Sequence, residues 1–319
     1  MKKEISEPKI VVIGGGTGLA VLLRGLKKYT SDLTAIVTVS DDGGSSGQLR
    51  NELGVLPPGD IRNCLVALAE TETIMDKVFQ HRFTGESSLK GHNLGNLLLV
   101  ALAEITGDFT SAIREVSRVL AVRGRVIPAT LEQVVLGAVM SDGQTIYGET
   151  SVREYKRKIE KLFLVPNDCN PLPETLSAIE EADAIVIGPG SLYTSIIPNL
   201  LVKGIKEGIA DSKATTFYVS NIMTELGETD GFTAADHLRV IQEHIGGQIV
   251  DYIIVNSGNI GKLRLNRYEK EQAIPVVINN EDILSLGVNI IEADLVSEND
   301  LAWHDSGKLA AAIVKVMGD

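Results

Sequence analysis

The sequence predicts an α/β fold: a doubly wound, mainly parallel Rossmann-like sheet with a helical insertion and a β-hairpin annex. Three observations lead there. Short β-branched runs recur along the chain, two of them stop at glycine-rich turns, and amphipathic helical segments separate them.

Ile10 to Ile13 is a continuous apolar run, as a strand covered on both faces requires, and Gly14-Gly15-Gly16-Thr17-Gly18 ends it. Leu19, Leu22, Leu23 and Leu26 then fall on one helical stripe, with Lys27 and Lys28 near the C-terminal end, where cations oppose the helix dipole. Leu33 to Val39 forms a second strand. Residues 60–122 read as helices without intervening strands. Asp60 is expected to cap a helix carrying Ile61, Leu65 and Leu68, and Asp108 one carrying Ala112, Ile113, Val116 and Leu120.

Val134 to Met140 and Thr145 to Gly148 flank Ser141-Asp142-Gly143-Gln144, an Asp-Gly hairpin signal, so residues 133–149 form the annex. Ala184 to Ile187, Thr215 to Val219 and Tyr252 to Val255 are further buried strands. Thr233 to Ile245 is a helix stopped by Gly246-Gly247, and a last helix after Asp305 uses Leu309, Ile313 and Val316. With no low-complexity linker and no repeat, the reading is one domain over residues 1–319 with an elaborated middle.

Of 319 residues, 44% are hydrophobic and 23% charged, ordinary values for a packed chain of this length. A net charge of −12 repels polyanions, and 4% aromatics are too few for base-stacking platforms, so nucleic acid is not an expected partner. Cys64 and Cys169 have no metal-type spacing and suit a reducing cytoplasm. Glu4, Ser6 and Glu7 interrupt any signal-peptide pattern at the start. The longest apolar run, Leu97 to Ala103, is far short of the roughly 20 residues a membrane span needs, so the expectation is a cytoplasmic protein with no membrane span.

The first glycine cluster fails both named nucleotide motifs: Leu19 stands where G-x-G-x-x-G needs its last glycine, and no lysine supplies a Walker A pattern. The underlying physics survives, because free N–H groups and a positive dipole end at the start of a helix favour an anion. A tight turn without ligand is the bland alternative. Gly188-Pro189-Gly190-Ser191-Leu192-Tyr193-Thr194-Ser195 repeats the arrangement and adds hydroxyl donors. Loops from two strands beside a switch point can grip a diphosphate together, with Gly14, Gly15, Gly16, Thr17, Gly18, Gly188, Gly190, Ser191, Tyr193, Thr194 and Ser195 as candidate contacts.

Asp41 and Asp42 close the second strand, where a carboxylate can receive a ribose or hold Mg²⁺ against a diphosphate. A solvated Asx turn is the alternative, and Gly43, Gly44 and the residues to Gly47 are expected to form a mobile flap. Arg62 and Asn63 follow the rigid Pro57-Pro58-Gly59-Asp60 turn; Arg62 is a phosphate candidate or the surface partner of Asp60 or Glu70. His92, Asn93 and Asn96 precede an apolar helix, where capping outweighs a ligand role. His81, His237, His244 and His304 stand singly and read as surface or structural. No nucleophile is evident, so catalytic residues stay unassigned.

Gly14-Gly15-Gly16-Thr17-Gly18, Ser40-Asp41-Asp42-Gly43-Gly44-Ser45-Ser46-Gly47, Pro57-Pro58-Gly59-Asp60-Ile61-Arg62-Asn63 and Ile187-Gly188-Pro189-Gly190-Ser191-Leu192-Tyr193-Thr194-Ser195 together resemble the bacterial gluconeogenesis factor family (YvcK) over the whole chain. That family is similar to CofD, the 2-phospho-L-lactate transferase of deazaflavin cofactor biosynthesis. The resemblance implies binding of a UDP-activated sugar, notably UDP-N-acetylglucosamine, without established turnover, and support of cell-wall precursor supply and cell shape during gluconeogenic growth. It further implies a pocket role for Tyr268. The leading reading is a non-catalytic sensor whose helical insertion communicates occupancy to a partner enzyme of amino-sugar or cell-wall metabolism; an oligomer of identical chains stays open. Pro58-Gly59-Asp60 departs from the Ser-Pro-Asp-type motif of the transferases, and Trp303-His304-Asp305 stands where relatives often show Arg-His-Asp. A CofD-like transfer of a phospholactyl-type group from a nucleotide diphosphate is the alternative, and NAD(P) binding ranks last.

Overall fold

A computed structural model describes residues 7–70, 74–268, 270, 272–298 and 301–318. Residues 1–6, on which most of the signal-peptide reading rests, and Glu269 of the Tyr268 motif lie outside them. In chain order the first half comprises β1 (Ile10–Gly14), α1 (Gly16–Leu26), β2 (Leu33–Val37), α2 (Gly44–Leu53), α3 (Gly59–Leu68), α4 (Ile74–Gln80), α5 (Leu94–Thr106), α6 (Phe109–Val119) and β3 (Arg125–Pro128). An antiparallel unit of β4 (Val135–Met140), β5 (Thr145–Tyr147), α7 (Glu149–Glu154) and β6 (Ile159–Val165) follows. The second half runs through α8 (Pro173–Glu180), β7 (Ala184–Ile187), a π-helical turn Leu192–Ile196, α9 (Ile197–Leu200), α10 (Ile205–Asp211), β8 (Thr215–Val219) and α11 (Ala234–Ile245). It ends with β9 (Tyr252–Asn256), α12 (Lys262–Tyr268), α13 (Asn280–Ser285), β10 (Asn289–Ala293) and α14 (Ser306–Gly318).

Seven strands form one sheet in the order β10-β9-β8-β7-β1-β2-β3, with every pairing parallel. The winding reverses between β1 and β7. Such a switch point is where strand-end loops diverge and leave a crevice at the carboxyl edge. β1 is buried at all five positions, as its β-branched run demands. The α1 leucines at 19, 22, 23 and 26 are fully buried, and truncating any of them should cost about 2–5 kcal/mol. α1 packs on α3 and α14.

The helix signals act as their chemistry predicts. Asp108 accepts from Ser111 N–H, Thr233 and Asp236 form a capping box on α11, and Gly246 closes α11 in the left-handed region at φ +79°. Asp305 accepts from the N–H groups of Gly307 and Lys308 at the start of α14. The Asp142-Gly143 hairpin joins β4 to β5, and β6 adds a third strand that the sequence reading did not name.

Two local expectations fail. Gly43 to Gly47 is not a flap: α2 begins at Gly44, and Ser45, Ser46 and Gly47 are buried. Ser46 Oγ accepts from Gly59 N–H, while Ser45 Oγ meets His92 Nδ1 and the amides of Asn93 and Asn96, so contacts override poor helix propensity. Asp60 does not cap its helix either. Pro58 holds the N-cap position, and the Asp60 side chain is turned to the first glycine loop. Among the described residues no single helix is long and apolar enough to cross a membrane; α5 and α6 bend by 120° against one another.

Candidate functional site

The two glycine turns leave β1 and β7, neighbours in the sheet, and pack together at the switch point. A Cβ on Gly18 would lie 2.7 Å from the Pro189 carbonyl oxygen, and one on Gly190 would lie 3.2 Å from the Gly15 oxygen. Only backbone fits between the turns. Gly16, at φ +67°, starts α1 directly, without a side-chain cap. The N–H groups of Thr17 and Gly18 therefore belong to the unpaired first turn of a helix, where donors and dipole both favour negative charge.

Over this junction opens a cleft of about 740 Å³. Gly15, Gly16, Thr17 and Gly18 line it from one side, and Pro189, Gly190, Ser191 and Ser195 from the other. The segment after β8, Asn221 to Leu226, supplies a third wall. Tyr268, Lys270, Ala302, Trp303 and His304 supply the fourth, with Arg153 of α7 completing the rim. Tyr268 Oη accepts from Ala302 N–H at 3.1 Å, which joins the two pieces of that fourth wall.

Other candidates from the sequence lie elsewhere. Gly14 and Gly188 form the floor: the Gly14 oxygen receives Thr38 N–H and Asn199 Nδ2, and Gly188 N–H donates to Ile13. Tyr193 and Thr194 point away from the cleft. Tyr193 is buried against Phe232 and His244, and Thr194 Oγ1 donates to Glu228 Oε1 at 3.3 Å. The π-helical turn puts these side chains into the core, which a loop reading of the segment could not foresee.

Arg62 is neither a cleft residue nor a surface ion pair. It is 8% exposed, donates to Asn63 Oδ1 at 2.7 Å and toward the Phe79 carbonyl, and lies against Gly95, while Glu70 pairs with Arg123. Asn63 thus serves Arg62. Asn93 caps α5, as capping chemistry suggested for the His92 to Asn96 segment.

Asp41 and Asp42 do not line the cleft, and neither do Gly43 and Gly44. Asp41 Oδ1 accepts from Gly43 N–H, whereas Asp42 Oδ1 accepts from the N–H and Oγ1 of Thr150. The two carboxylates accept these bonds through their Oδ1 atoms from different partners, and no group of three His, Cys, Asp or Glu among the described residues is arranged to hold a metal ion.

Behind the first glycine turn lies a cluster of carboxylates. Asp60 Oδ2 accepts from Gly16 N–H at 2.7 Å, fixing the turn from below. Burial, aggravated by the Asp41 charge, pushes Asp60 up to about 6 although the Gly16 N–H and Arg62 oppose the shift. Glu149 is pushed up to about 9 by burial and then by Asp41 and Asp60, and burial also raises Asp41. Glu225 and Glu228 are raised by burial as well, with Arg153 drawing both back.

His304, read from the sequence as surface or structural, stands in the cleft wall, where burial lowers it to about 4 and keeps the ring neutral. Its Nε2 has no partner among the described residues. No sequence motif marks Arg153, Lys270 or the Asn221 segment, and His304, although it stands within Trp303-His304-Asp305, carries no local signal that separates a cleft histidine from a structural one.

A parallel sheet with glycine turns on both sides of its switch point belongs to the doubly wound α/β class. The family model described as 2-phospho-L-lactate transferase CofD matches residues 10–296. The chain is 50% identical to the gluconeogenesis factor of Bacillus subtilis, covering 98% of each protein. It is 51% identical to the gluconeogenesis factor of Halalkalibacterium halodurans, covering 99% of this chain and 97% of that protein. A crystal structure of a Bacillus halodurans protein superposes with a TM-score of 0.94 at 51% identity, covering 97% of this chain and all of the other. The chain belongs to the CofD family and, within it, to the gluconeogenesis factors.

Proposed function

We propose that the chain is a cytoplasmic regulatory protein that binds a nucleotide sugar of the UDP-N-acetylglucosamine type, with the diphosphate held between the turns at Gly15–Gly18 and Gly188–Ser191. The observation that carries this reading is the Gly18 and Pro189 contact, which brings two helix-start turns together under one cleft. Backbone amides supply the attraction, so a protein of net charge −12 can still hold an anion. Arg153 and Lys270 at the rim add positive charge. The relatives' name, gluconeogenesis factor, supports a role under gluconeogenic growth. Supply of cell-wall precursors, cell shape and a partner enzyme of amino-sugar metabolism complete the proposal.

The test has two halves. Calorimetric titration should register UDP-N-acetylglucosamine binding, and the ligand should be recovered uncleaved after long incubation. Turnover at an ordinary enzymatic rate would remove the regulatory reading.

A second reading, nucleotide-diphosphate-dependent transfer as in CofD, is favoured by the family description and by the carboxylates Asp41, Asp60 and Glu149 behind the loop. A carboxyl group held protonated near neutral pH can serve as a general acid. Incubation with a labelled phospholactyl donor and a deazaflavin acceptor decides this; absence of product at high protein concentration excludes it.

A further inference from the structure

A second cavity, of about 490 Å³, opens at the carboxyl ends of β8 and β9. Asn221 and Ile222 line both this cavity and the glycine cleft, so the two spaces meet across a two-residue divide. Strands in a sheet lie about 4.8 Å apart, and β1, β7, β8 and β9 are consecutive neighbours. The centre of the second cavity, between β8 and β9, therefore stands about two strand spacings, roughly 10 Å, from the junction between β1 and β7. That is the scale of the span from the phosphates of a nucleotide to its base.

The lining is chemically distinct from the cleft. Among the described residues no charged and no aromatic side chain contributes to it. Ile222, Val255, Ile260 and Val276 give aliphatic walls, and Asn221 and Asn259 carry carboxamides. Asn221 Nδ2 is engaged by Glu225 Oε1 at 3.0 Å, which leaves its Oδ1 to accept, while the Asn259 side chain is exposed. Apolar faces with a few placed donors and acceptors suit a flat, uncharged heterocycle, whose faces need burial and whose edge needs hydrogen bonds. A phosphate would find no cation here.

We infer that this cavity receives the base of a nucleoside diphosphate whose phosphates lie at the glycine turns, with Asn221 and Asn259 reading the base edge. This inference rests on the nucleotide-binding reading above and adds where the base goes.

The experiment titrates the native chain, Val276→Trp and Asn259→Trp, two positions that line the second cavity and not the glycine cleft, with inorganic pyrophosphate and with UDP, and records each unliganded melting curve. Pyrophosphate needs only the glycine turns. The native chain should prefer UDP over pyrophosphate by about tenfold or more, and each variant should lose that preference while pyrophosphate affinity stays within about twofold. Asn259→Trp alters an exposed rim position and carries the test alone if Val276→Trp melts early. UDP preference retained in a folded variant, or absent from the native chain, overturns the base assignment while leaving the diphosphate site standing. Failure of the native chain to bind either compound overturns the nucleotide reading itself, and this inference with it.

Discussion

Gly18 lies so close to the Pro189 carbonyl that a Cβ on it would sit 2.7 Å from that oxygen, although 171 positions separate the two residues. Because both sides of this contact are backbone, neither can yield by turning a side chain. Gly18→Ala is expected to separate the turns and weaken UDP-N-acetylglucosamine binding by about tenfold or more. Gly190→Leu, whose Cβ would stand 3.2 Å from the Gly15 oxygen and 3.3 Å from Ser195 Cβ, should leave the protein folded with a lowered melting temperature and remove the ligand-induced shift. At a ligand excess of 100 Kd that shift corresponds to about 2.7 kcal/mol, so its loss is easily read by differential scanning fluorimetry. Retention of the full shift in both variants would detach ligand binding from the glycine turns.

The carboxylate cluster makes stability depend on pH in a definite direction. Glu149 is raised from an ordinary 4.5 to about 9, so the folded state holds its proton more tightly than the unfolded chain. Its stabilising contribution is fully present below about pH 4.5 and is lost as pH rises toward 9. Glu149→Gln should therefore be more stable than the parent by about 1–3 kcal/mol at pH 7.5, and indistinguishable from it at pH 4. Urea denaturation at the two pH values checks this; a difference that does not change with pH would contradict it.

Arg62 is a buried structural donor rather than a phosphate ligand. Replacing it with Leu leaves the Phe79 carbonyl and Asn63 Oδ1 without this donor, at a cost of about 1–3 kcal/mol. Nucleotide affinity measured below the melting transition should be unaffected. A selective fall in affinity without loss of stability would restore Arg62 to the site.

Gly25 marks a second crossing with no room. A Cβ there would stand 1.9 Å from the Ser306 carbonyl oxygen, where α1 packs on α14. Gly25→Ala is expected to destabilise the fold by about 1–3 kcal/mol, despite alanine's better helix propensity. Chemical denaturation should show it; a more stable variant would mean that the two helices can part freely.

The sheet was legible where burial wrote it into composition. β1, β7 and β8 are short β-branched or aromatic runs covered on both faces, and their bounds fall within one residue of the sequence expectation. β10 was missed because it is partly exposed at the sheet edge, and β6 because its Glu160 and Lys161 interrupt the apolar signal. The start of α2 carries no helical signal, since three glycines and two serines have no apolar periodicity; the contacts that fix it come from Gly59 and from the residues around His92. The convergence of the two turns followed from strand order and chain chemistry. The bond from Gly16 to Asp60 did not, since nothing local distinguishes a capping aspartate from one that reaches across to another loop.

The most direct test of the central claim is a crystal structure with UDP-N-acetylglucosamine bound. The account predicts diphosphate oxygens within roughly 3 Å of the Thr17 and Gly18 amide nitrogens, with the second turn at Gly190 closing over the same group. Diphosphate density at any other place, with these amides left to solvent, would contradict it.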